Sequence, residues 1–420
     1  MRTIRSPRTP VLLMAALAAA CTAAADDATT SAADTTADPA ADCTPLETRA
    51  PNAPDQEPAF PEQTRACAVT AGVAFDVAVV ADGLAHPWAV EPLPDGSFLV
   101  TERPGRMRVV SAAGEVGAPI AGLPDVDAGG QGGLLDVALS PSFGSDRTIF
   151  WSYSEPRDGG NGTAVARGVL SSDGSRVAEA RVIFRALPTY DGRAHFGSRL
   201  AFGPDGKLYI TTGDRSDSRM REHAQRLDGH MGKVLRIDPD GSVPDDNPFV
   251  GEDGARPEIW SLGHRNIQAA AFDPDGRLWI IEHGPRGGDE LNLIEAGANY
   301  GWPVQAYGIE YSGAPIPGAS TAPGQFQQPV YYWDPVIAPS GAQWYTGDAF
   351  PAWRGSLFIG ALREQRLVRL TVEDERVTGE EHLLTDRGQR IRDVRQGPDG
   401  ALYVVTDEDD GELWRITPAG

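Results

Sequence analysis

Cysteine is scarce in this chain of 420 residues: there are three, Cys21, Cys43 and Cys67, and none after Cys67. The main body therefore has no thiol nucleophile, no Cys-ligated zinc and no Cys-x-x-Cys-His for haem attachment. Positive charge is also short. Against 59 Asp and Glu there are 37 Lys and Arg, a formal net charge of −22. So acidic a chain is a poor partner for nucleic acid or for an anionic membrane surface. No apolar run is long enough to span a bilayer: Val11 to Ala20 is too short. Nor do strands alternate with helical stretches, which argues against a parallel α/β fold. What is plentiful is turn chemistry, with 48 Gly and 34 Pro.

The first residues read as a targeting segment. Arg2, Arg5 and Arg8 form a basic head, and the apolar run ends in Ala18-Ala-Ala-Cys21. A small-residue run before a Cys resembles a lipoprotein signal with Cys21 lipidated; the alternative is an ordinary secretory signal cut among the alanines. Either way the expectation is an exported protein, periplasmic or on the outer cell surface, with Cys21 its one link to a membrane. Residues 22–68, rich in Ala, Asp, Thr and Pro, read as a disordered tether, because they carry too little apolar surface for a core. With Cys21 consumed, Cys43 and Cys67 remain as an even pair in an oxidising compartment and are expected to bond. The globular domain is expected over 69–420.

Within that domain one phrase recurs: an apolar residue, a Pro-Asp-Gly turn, then an alternating strand. It stands at Leu93-Pro-Asp-Gly-Ser-Phe-Leu-Val100, Phe202-Gly-Pro-Asp-Gly-Lys-Leu-Tyr-Ile210, Phe272-Asp-Pro-Asp-Gly-Arg-Leu-Trp-Ile280 and Gln396-Gly-Pro-Asp-Gly-Ala-Leu-Tyr-Val404. Weaker copies begin at Leu139 and Phe350. Pro-Asp-Gly supplies a tight turn and the residues after it a half-buried strand. The repeat prolines (Pro94, Pro141, Pro204, Pro274, Pro351, Pro398) are 47, 63, 70, 77 and 47 residues apart. A hairpin recurring at such intervals predicts an all-β chain: a six-bladed β-propeller of four-stranded antiparallel blades around a central channel, with loop insertions of uneven length.

Propellers gather functional loops at one end of the channel, so the segments flanking each hairpin are the place to look. They include Gly129-Gly-Gln-Gly-Gly133, Arg193-Ala-His-Phe-Gly-Ser-Arg199, Thr211-Thr-Gly-Asp-Arg215, Gly263-His-Arg-Asn266, Glu282-His-Gly-Pro-Arg-Gly-Gly-Asp-Glu290, Gly360-Ala-Leu-Arg363 and Gln389-Arg-Ile-Arg-Asp-Val394. Arg265, Arg363, Arg390 and Arg392 would concentrate positive charge at one mouth of an acidic protein, which asks for a small polyanion. The carboxylates and exposed carbonyls of 282–290 suit a hard cation.

These motifs, with His195-Phe-Gly-Ser-Arg-Leu-Ala-Phe-Gly-Pro-Asp-Gly206 and Asn299-Tyr-Gly-Trp-Pro303, resemble the soluble pyrroloquinoline quinone (PQQ) dependent aldose sugar dehydrogenases over about Leu84 to Arg415. The resemblance implies a six-bladed propeller that binds PQQ and calcium and oxidises an aldose at its anomeric carbon to the lactone, passing electrons to an external acceptor. It implies His195 as the base, Asp214 as an acid beside it, and Arg265 as stabiliser of the charge that develops on the cofactor. It implies that Gln131, Arg265, Asn266, Arg390, Ile391 and Arg392 hold PQQ, together with Tyr311, Ser312, Gly313, Ala361, Leu362 and Arg363. At that last position the family often has Lys, and Arg offers a different geometry. Gly284 and Pro285 would give carbonyls to the cofactor's calcium, and Glu290 with the backbone of Tyr300 would form a second, structural calcium site.

Plainer readings stand beside these. Arg390 and Arg392, at strand spacing, would also suit a solvated face. Asp289 and Glu290 would also suit a turn. His264 and His283 are read as structural or as supports of the site, and His86, His223, His230 and His382 as structural or surface. Trp302, Tyr307, Trp333, Trp344 and Tyr345 are read as blade packing, with one or two walling a sugar pocket. Two other functions use the same scaffold: a calcium-dependent lactonase or esterase, and a non-catalytic sugar-binding propeller.

Overall fold

The computed structural model describes residues 43–321 and 324–420. The targeting segment and Cys21 lie outside the described residues. After β1 (Phe75–Leu84), the first blade is β2 (Pro87–Pro92), β3 (Phe98–Glu102) and β4 (Arg106–Val110). The second is β5 (Leu134–Leu139), β6 (Thr148–Arg157), β7 (Gly160–Leu170) and β8 (Val177–Arg185). The third is β9 (Leu200–Phe202), β10 (Leu208–Thr211), β11 (Lys233–Ile237) and β12 (Ile259–Leu262). The fourth is β13 (Ile267–Phe272), β14 (Leu278–Glu282), β15 (Asp289–Leu293) and β16 (Tyr331–Trp333). The fifth is β17 (Pro339–Trp344), β18 (Leu357–Ala361), β19 (Arg366–Glu373) and β20 (Arg376–Leu383). The sixth is β21 (Ile391–Gln396), β22 (Leu402–Thr406) and β23 (Gly411–Pro418), with β1 as its outer strand. Neighbouring strands pair antiparallel. The first blade has three regular strands, extended by an isolated bridge between Val110 and Val116.

The first strands of successive blades pack against one another in a closed ring, so the expected six-bladed propeller is present. Each Pro-Asp-Gly phrase is the turn between the first and second strand of a blade. The second strand lies between neighbouring blades and is covered on both faces: β3, β10, β14, β18 and β22 are buried along their whole length. Hence their runs are apolar rather than strictly alternating, as in Leu278-Trp-Ile-Ile281. Aromatic side chains fill the wedges between blades, with Trp151, Trp279 and Trp353 fully enclosed.

The ring is also bolted through its centre. Arg199, 1 % exposed, sends Nη1 to Asp136 of β5 at 2.9 Å and to Asp393 of β21 at 3.2 Å. Its Nε donates to the carbonyl of Gln268 on β13 at 2.9 Å, and its guanidinium lies 4.1 Å over the ring of Trp88 on β2. Arg395 continues the chain to Asp393 at 3.0 Å and to Glu91 at 3.4 Å. One guanidinium thus joins five of the six blades. Breaking a buried pair of this kind leaves an uncompensated charge and costs about 3–5 kcal/mol.

The expected tether needs correction at its C-terminal end. Residues 43–68 belong to the same compact unit as the propeller. Cys43 and Cys67 are bonded, with Cα atoms 5.2 Å apart. Ala68 bridges to Glu380 on β20, Tyr331 Oη accepts from the Ala66 amide at 3.0 Å, and Gln63, fully buried, donates to the carbonyl of Pro329 at 2.8 Å. The Asn52 and Ala53 amides donate to the Asp334 carboxylate at 2.6 and 2.9 Å. This strap has no core of its own, as its composition says. It stays ordered because its backbone hydrogen bonds are satisfied by the outer strands of blades four and five.

Candidate functional site

Because the Pro-Asp-Gly turns, and their weaker copies in blades two and five, close one end of each blade, the other end collects the segments that enter first strands and leave second strands. His195 stands before β9 and Asp214 after β10. Arg265 and Asn266 precede β13, and 283–285 follow β14. Leu362 follows β18, Arg390 precedes β21 and Asp407 follows β22.

His195 Nδ1 lies 2.6 Å from Asp214 Oδ1, and both residues are buried. The turn that presents the imidazole is tight: His195 has φ 50°, and Gly197, at φ 65°, has no room for a Cβ against the Thr212 backbone 2.5 Å away. The His195 amide donates to Gln131 Oε1 at 2.8 Å. Asp214 is held from three further sides, by the Ser216 amide at 2.7 Å, by the Trp302 indole N–H at 2.8 Å, and by its own amide on the Arg265 carbonyl at 2.8 Å. Burial pulls His195 below its usual range, the Arg265 charge adds to this, and Asp214 opposes it. Burial raises Asp214, yet His195 and its hydrogen bond prevail and hold it below the ordinary value. The outcome is a neutral imidazole whose Nδ1–H is committed to a carboxylate, with Nε2 carrying the free lone pair.

Arg265 is 5 % exposed. Its Nη1 donates to the carbonyls of His283 at 2.9 Å and Gly284 at 2.7 Å, and Nη2 reaches Tyr311 Oη at 3.3 Å. Its amide is fixed by Glu282, which also bonds His264 Nδ1 at 2.9 Å. Asn266 Oδ1 accepts from the Gly197 amide at 3.2 Å, tying the Arg265 turn to the His195 turn. His283 is pushed down to about 3 by burial and engages the Pro339 carbonyl through Nε2 at 2.6 Å.

Above the central bolt lies a cavity of about 410 Å³, in the range of small-molecule sites. Gln131, Asn266, Leu362, Arg390 and Arg392 from the sequence reading line it, with Phe196 and Gly197 beside His195. Arg390 and Arg392 share Asp407, at 3.2 and 2.5 Å. These two charges outweigh burial and hold the Asp407 carboxyl well below its usual range. Arg392 is 8 % exposed, and its Nε is buried with no hydrogen-bond partner. That orphaned donor beside a second guanidinium is what a bound carboxylate would satisfy, so the residues fit an anionic cofactor of PQQ's kind.

Other expected residues fall differently. Tyr311 is 67 % exposed, and Ser312 and Gly313 are exposed beside it. Ala361 and Ile391 are buried in strand pairing behind the cavity rather than in its wall. Arg363 is exposed and is not brought to the cavity wall, and Arg265 is spent on the His283 and Gly284 carbonyls rather than lining it, so two of the four expected arginines, Arg390 and Arg392, form the wall. Leu362, the neighbour of Arg363, turns inward instead, because the amides of 362 and 363 are spent on the carbonyls of Ala338 and Ile337.

For calcium, Gly284 and Pro285 are buried at the expected place, and the Gly284 carbonyl already accepts from Arg265. Its second lone pair is available to a cation. A Cβ at Gly284 would lie 2.2 Å from the Gly288 carbonyl oxygen, so only glycine fits there. Glu290 is raised well above its ordinary value by burial and by Glu282. Asn292 donates to both carboxylates, at 3.2 and 3.3 Å, while its own Oδ1 is buried without a partner. Crowded carboxylates beside an orphaned oxygen form a hard-cation donor set. The described residues contain no cluster of three or more His, Cys, Asp or Glu side chains able to hold a metal, so these carbonyl and amide oxygens must complete any such site. Tyr300 stacks on His264 with ring centroids 4.7 Å apart.

Sequence reasoning missed His86, Trp88, Arg103 and Asp407, which also line the cavity, and the bond from Trp302 to Asp214. A signal existed for Asp407. It leaves the second strand of its blade as Glu282 does in blade four and Asp214 in blade three.

The family model for glucose/sorbosone dehydrogenases matches residues 84–415. The chain is 49 % identical over 350 residues to the aldose sugar dehydrogenase YliI of Escherichia coli (strain K12), covering 82 % of this chain and 93 % of that one. It is 30 % identical to quinoprotein glucose dehydrogenase B of Acinetobacter calcoaceticus, over 81 % of this chain and 88 % of that one. Among solved structures, the PQQ-bound aldose sugar dehydrogenase of Streptomyces coelicolor superposes with a TM-score of 0.66 at 30 % identity, covering 82 % of this chain and 99 % of that one.

Proposed function

The chain belongs to the glucose/sorbosone dehydrogenase family, the PQQ-dependent aldose sugar dehydrogenases, and from that premise we propose that it oxidises aldoses at the anomeric carbon with PQQ and calcium bound at the His195 mouth of the propeller. When bound, PQQ supplies the two-electron acceptor, and calcium beside it supplies a Lewis acid. The protein's own part is acid–base chemistry and orientation.

His195 takes the proton of the anomeric hydroxyl at Nε2. Burial and Arg265 keep the imidazole neutral and so able to accept it. Asp214, on Nδ1, fixes the tautomer and stabilises the imidazolium that forms. Arg265, held by the His283 and Gly284 carbonyls, places a positive charge where negative charge develops. Arg390 and Arg392, set side by side by Asp407, grip cofactor carboxylates, with Gln131 and Asn266 at the His195 side. Gly284 and Pro285 offer carbonyls to the cofactor's calcium; Glu290, Asn292 and the Tyr300 backbone offer oxygens to a structural one. The product is the lactone, which hydrolyses to the aldonic acid. Electrons leave to an external acceptor, and the basic, apolar N-terminus sends the protein out of the cytoplasm, with a lipid on Cys21 its one membrane link.

The observation that carries this reading is the buried His195–Asp214 pair at the mouth whose cavity is walled by Arg390 and Arg392. A lactonase would want carboxylates free to ligate a cation in that position, whereas here Asp407 is taken up by Arg390 and Arg392 and the wall carries three guanidiniums, those of Arg103, Arg390 and Arg392. Purified protein stripped with chelator, then given PQQ with and without calcium, is the test. Dye reduction with aldoses and a change in the cofactor's absorbance are expected only when both are present. No spectral change and no activity would sink the reading.

A further inference from the structure

We infer that Trp302 is a positioning residue that binds the base and the guanidinium into one rigid unit. The inference rests on the His195 reading above and adds to it. Trp302 is 6 % exposed and looks like one more packing aromatic. Its indole N–H, however, donates to Asp214 Oδ2 at 2.8 Å, while Asp214 Oδ1 faces His195 at 2.6 Å. Oδ2 therefore has the indole as its partner, while Oδ1 takes both His195 and the Ser216 amide at 2.7 Å, and the indole sets the plane in which Oδ1 must lie. The Arg265 guanidinium lies 5.3 Å from the same ring and that of Arg221 5.6 Å from it. The Trp302 amide donates to the Gly263 carbonyl at 2.9 Å, and its carbonyl accepts from Gln225 at 2.7 Å, so the ring cannot drift from the Arg265 turn.

The electrostatic consequence has a sign. An N–H on Asp214 Oδ2 drains negative charge from the carboxylate and weakens its hold on the imidazolium. The charged or titratable groups facing His195 are Asp214, Arg265, Arg215 and His283. Deleting the indole donor leaves all four in place and makes Asp214 the stronger partner. His195 then stays protonated to higher pH.

Trp302→Phe keeps the ring and removes the donor. At saturating PQQ and calcium, kcat is expected to fall roughly ten- to a hundredfold, as befits a hydrogen bond to a charged group. The acid limb of the kcat profile should move to higher pH, and the PQQ dissociation constant, titrated by fluorescence, should stay within about twofold. In an Asp214→Asn background the same substitution should cost almost nothing further. Wild-type turnover with an unshifted limb, or a loss of PQQ affinity that accounts for the lost turnover, would overturn the inference. Should Trp302→Phe not fold, ¹⁵N-indole spectra of apo wild type and apo Asp214→Asn decide. One tryptophan N–H signal must move between them, and none moving refutes the bond. His195→Ala separates the layers: turnover that survives it removes the base itself, whereas turnover lost there but intact in Trp302→Phe overturns this inference alone.

Discussion

Asp407 accepts hydrogen bonds from both Arg390 and Arg392 through a single oxygen, Oδ2. One carboxylate thus sets two guanidiniums side by side at the cavity wall, away from the His195–Asp214 pair. The grip on the cofactor and the handling of the proton are carried by different residues, and mutation should separate them.

His195→Ala is expected to keep PQQ affinity while kcat falls about 10²–10⁴-fold, the usual contribution of a general base. Arg390→Ala should do the reverse, raising the PQQ concentration needed for half-saturation and leaving kcat near normal in excess cofactor. Steady-state rates at limiting and saturating PQQ read both. Excess PQQ rescuing His195→Ala would make His195 a binding residue.

The pH profile follows from the direction of the His195 shift. A base held below its usual range stays unprotonated to lower pH, so kcat should hold to lower pH than an ordinary imidazole would allow and fail only as pH drops through the depressed value. In Asp214→Asn the carboxylate that favoured the imidazolium is gone. The acid limb should move lower still, while kcat itself falls. A limb that moved upward would contradict the assigned roles.

The strap makes a stability prediction. A chain beginning at Cys43 should melt as the full chain does. One beginning at Val69 loses Gln63, Ala66 and the bond from Cys67, and it bares Tyr331 and the Asp334 carboxylate. Its midpoint in thermal denaturation should drop by several degrees at least, a loss on the order of 0.5–1.5 kcal/mol for each hydrogen bond exchanged for water. Equal midpoints for the two truncations would show the strap to be passive.

At the far mouth of the channel, burial pushes Glu91 up to about 7 from 4.5, with Asp136 and Asp393 adding to the effect and Arg395 opposing it. The unfolded chain binds fewer protons at this group between those values, so its contribution to stability falls as pH rises from about 4.5 to about 7. Glu91→Gln should flatten that part of the curve of urea midpoint against pH. An unchanged slope would show the group to be ionised throughout.

Much of this was legible in the sequence, for a physical reason. Each blade needs a turn between its first two strands, so Pro-Asp-Gly recurs in four of the six in register with the fold, and the site residues stand shortly before or after these hairpins. Three features were not legible. Trp302 acts through Asp214, 88 positions away, and nothing around Asn299-Tyr-Gly-Trp302 records that partner. Arg363 was assigned with its neighbours, but two backbone hydrogen bonds turn Leu362 in and leave Arg363 outside. Residues 43–68 lack the apolar content of a folded segment and are held by amides and carbonyls, which composition does not count.

The pairing of β1 with β23 sets an order of events. Phe75 stands opposite Pro418, so the first strand to leave the ribosome waits for the last. Until then the ring is a horseshoe with two open edges, and an unpaired edge invites strands from other chains. A chain that lacks its final ten residues loses the strand between β22 and β1, and so leaves both of its ends unpaired at once.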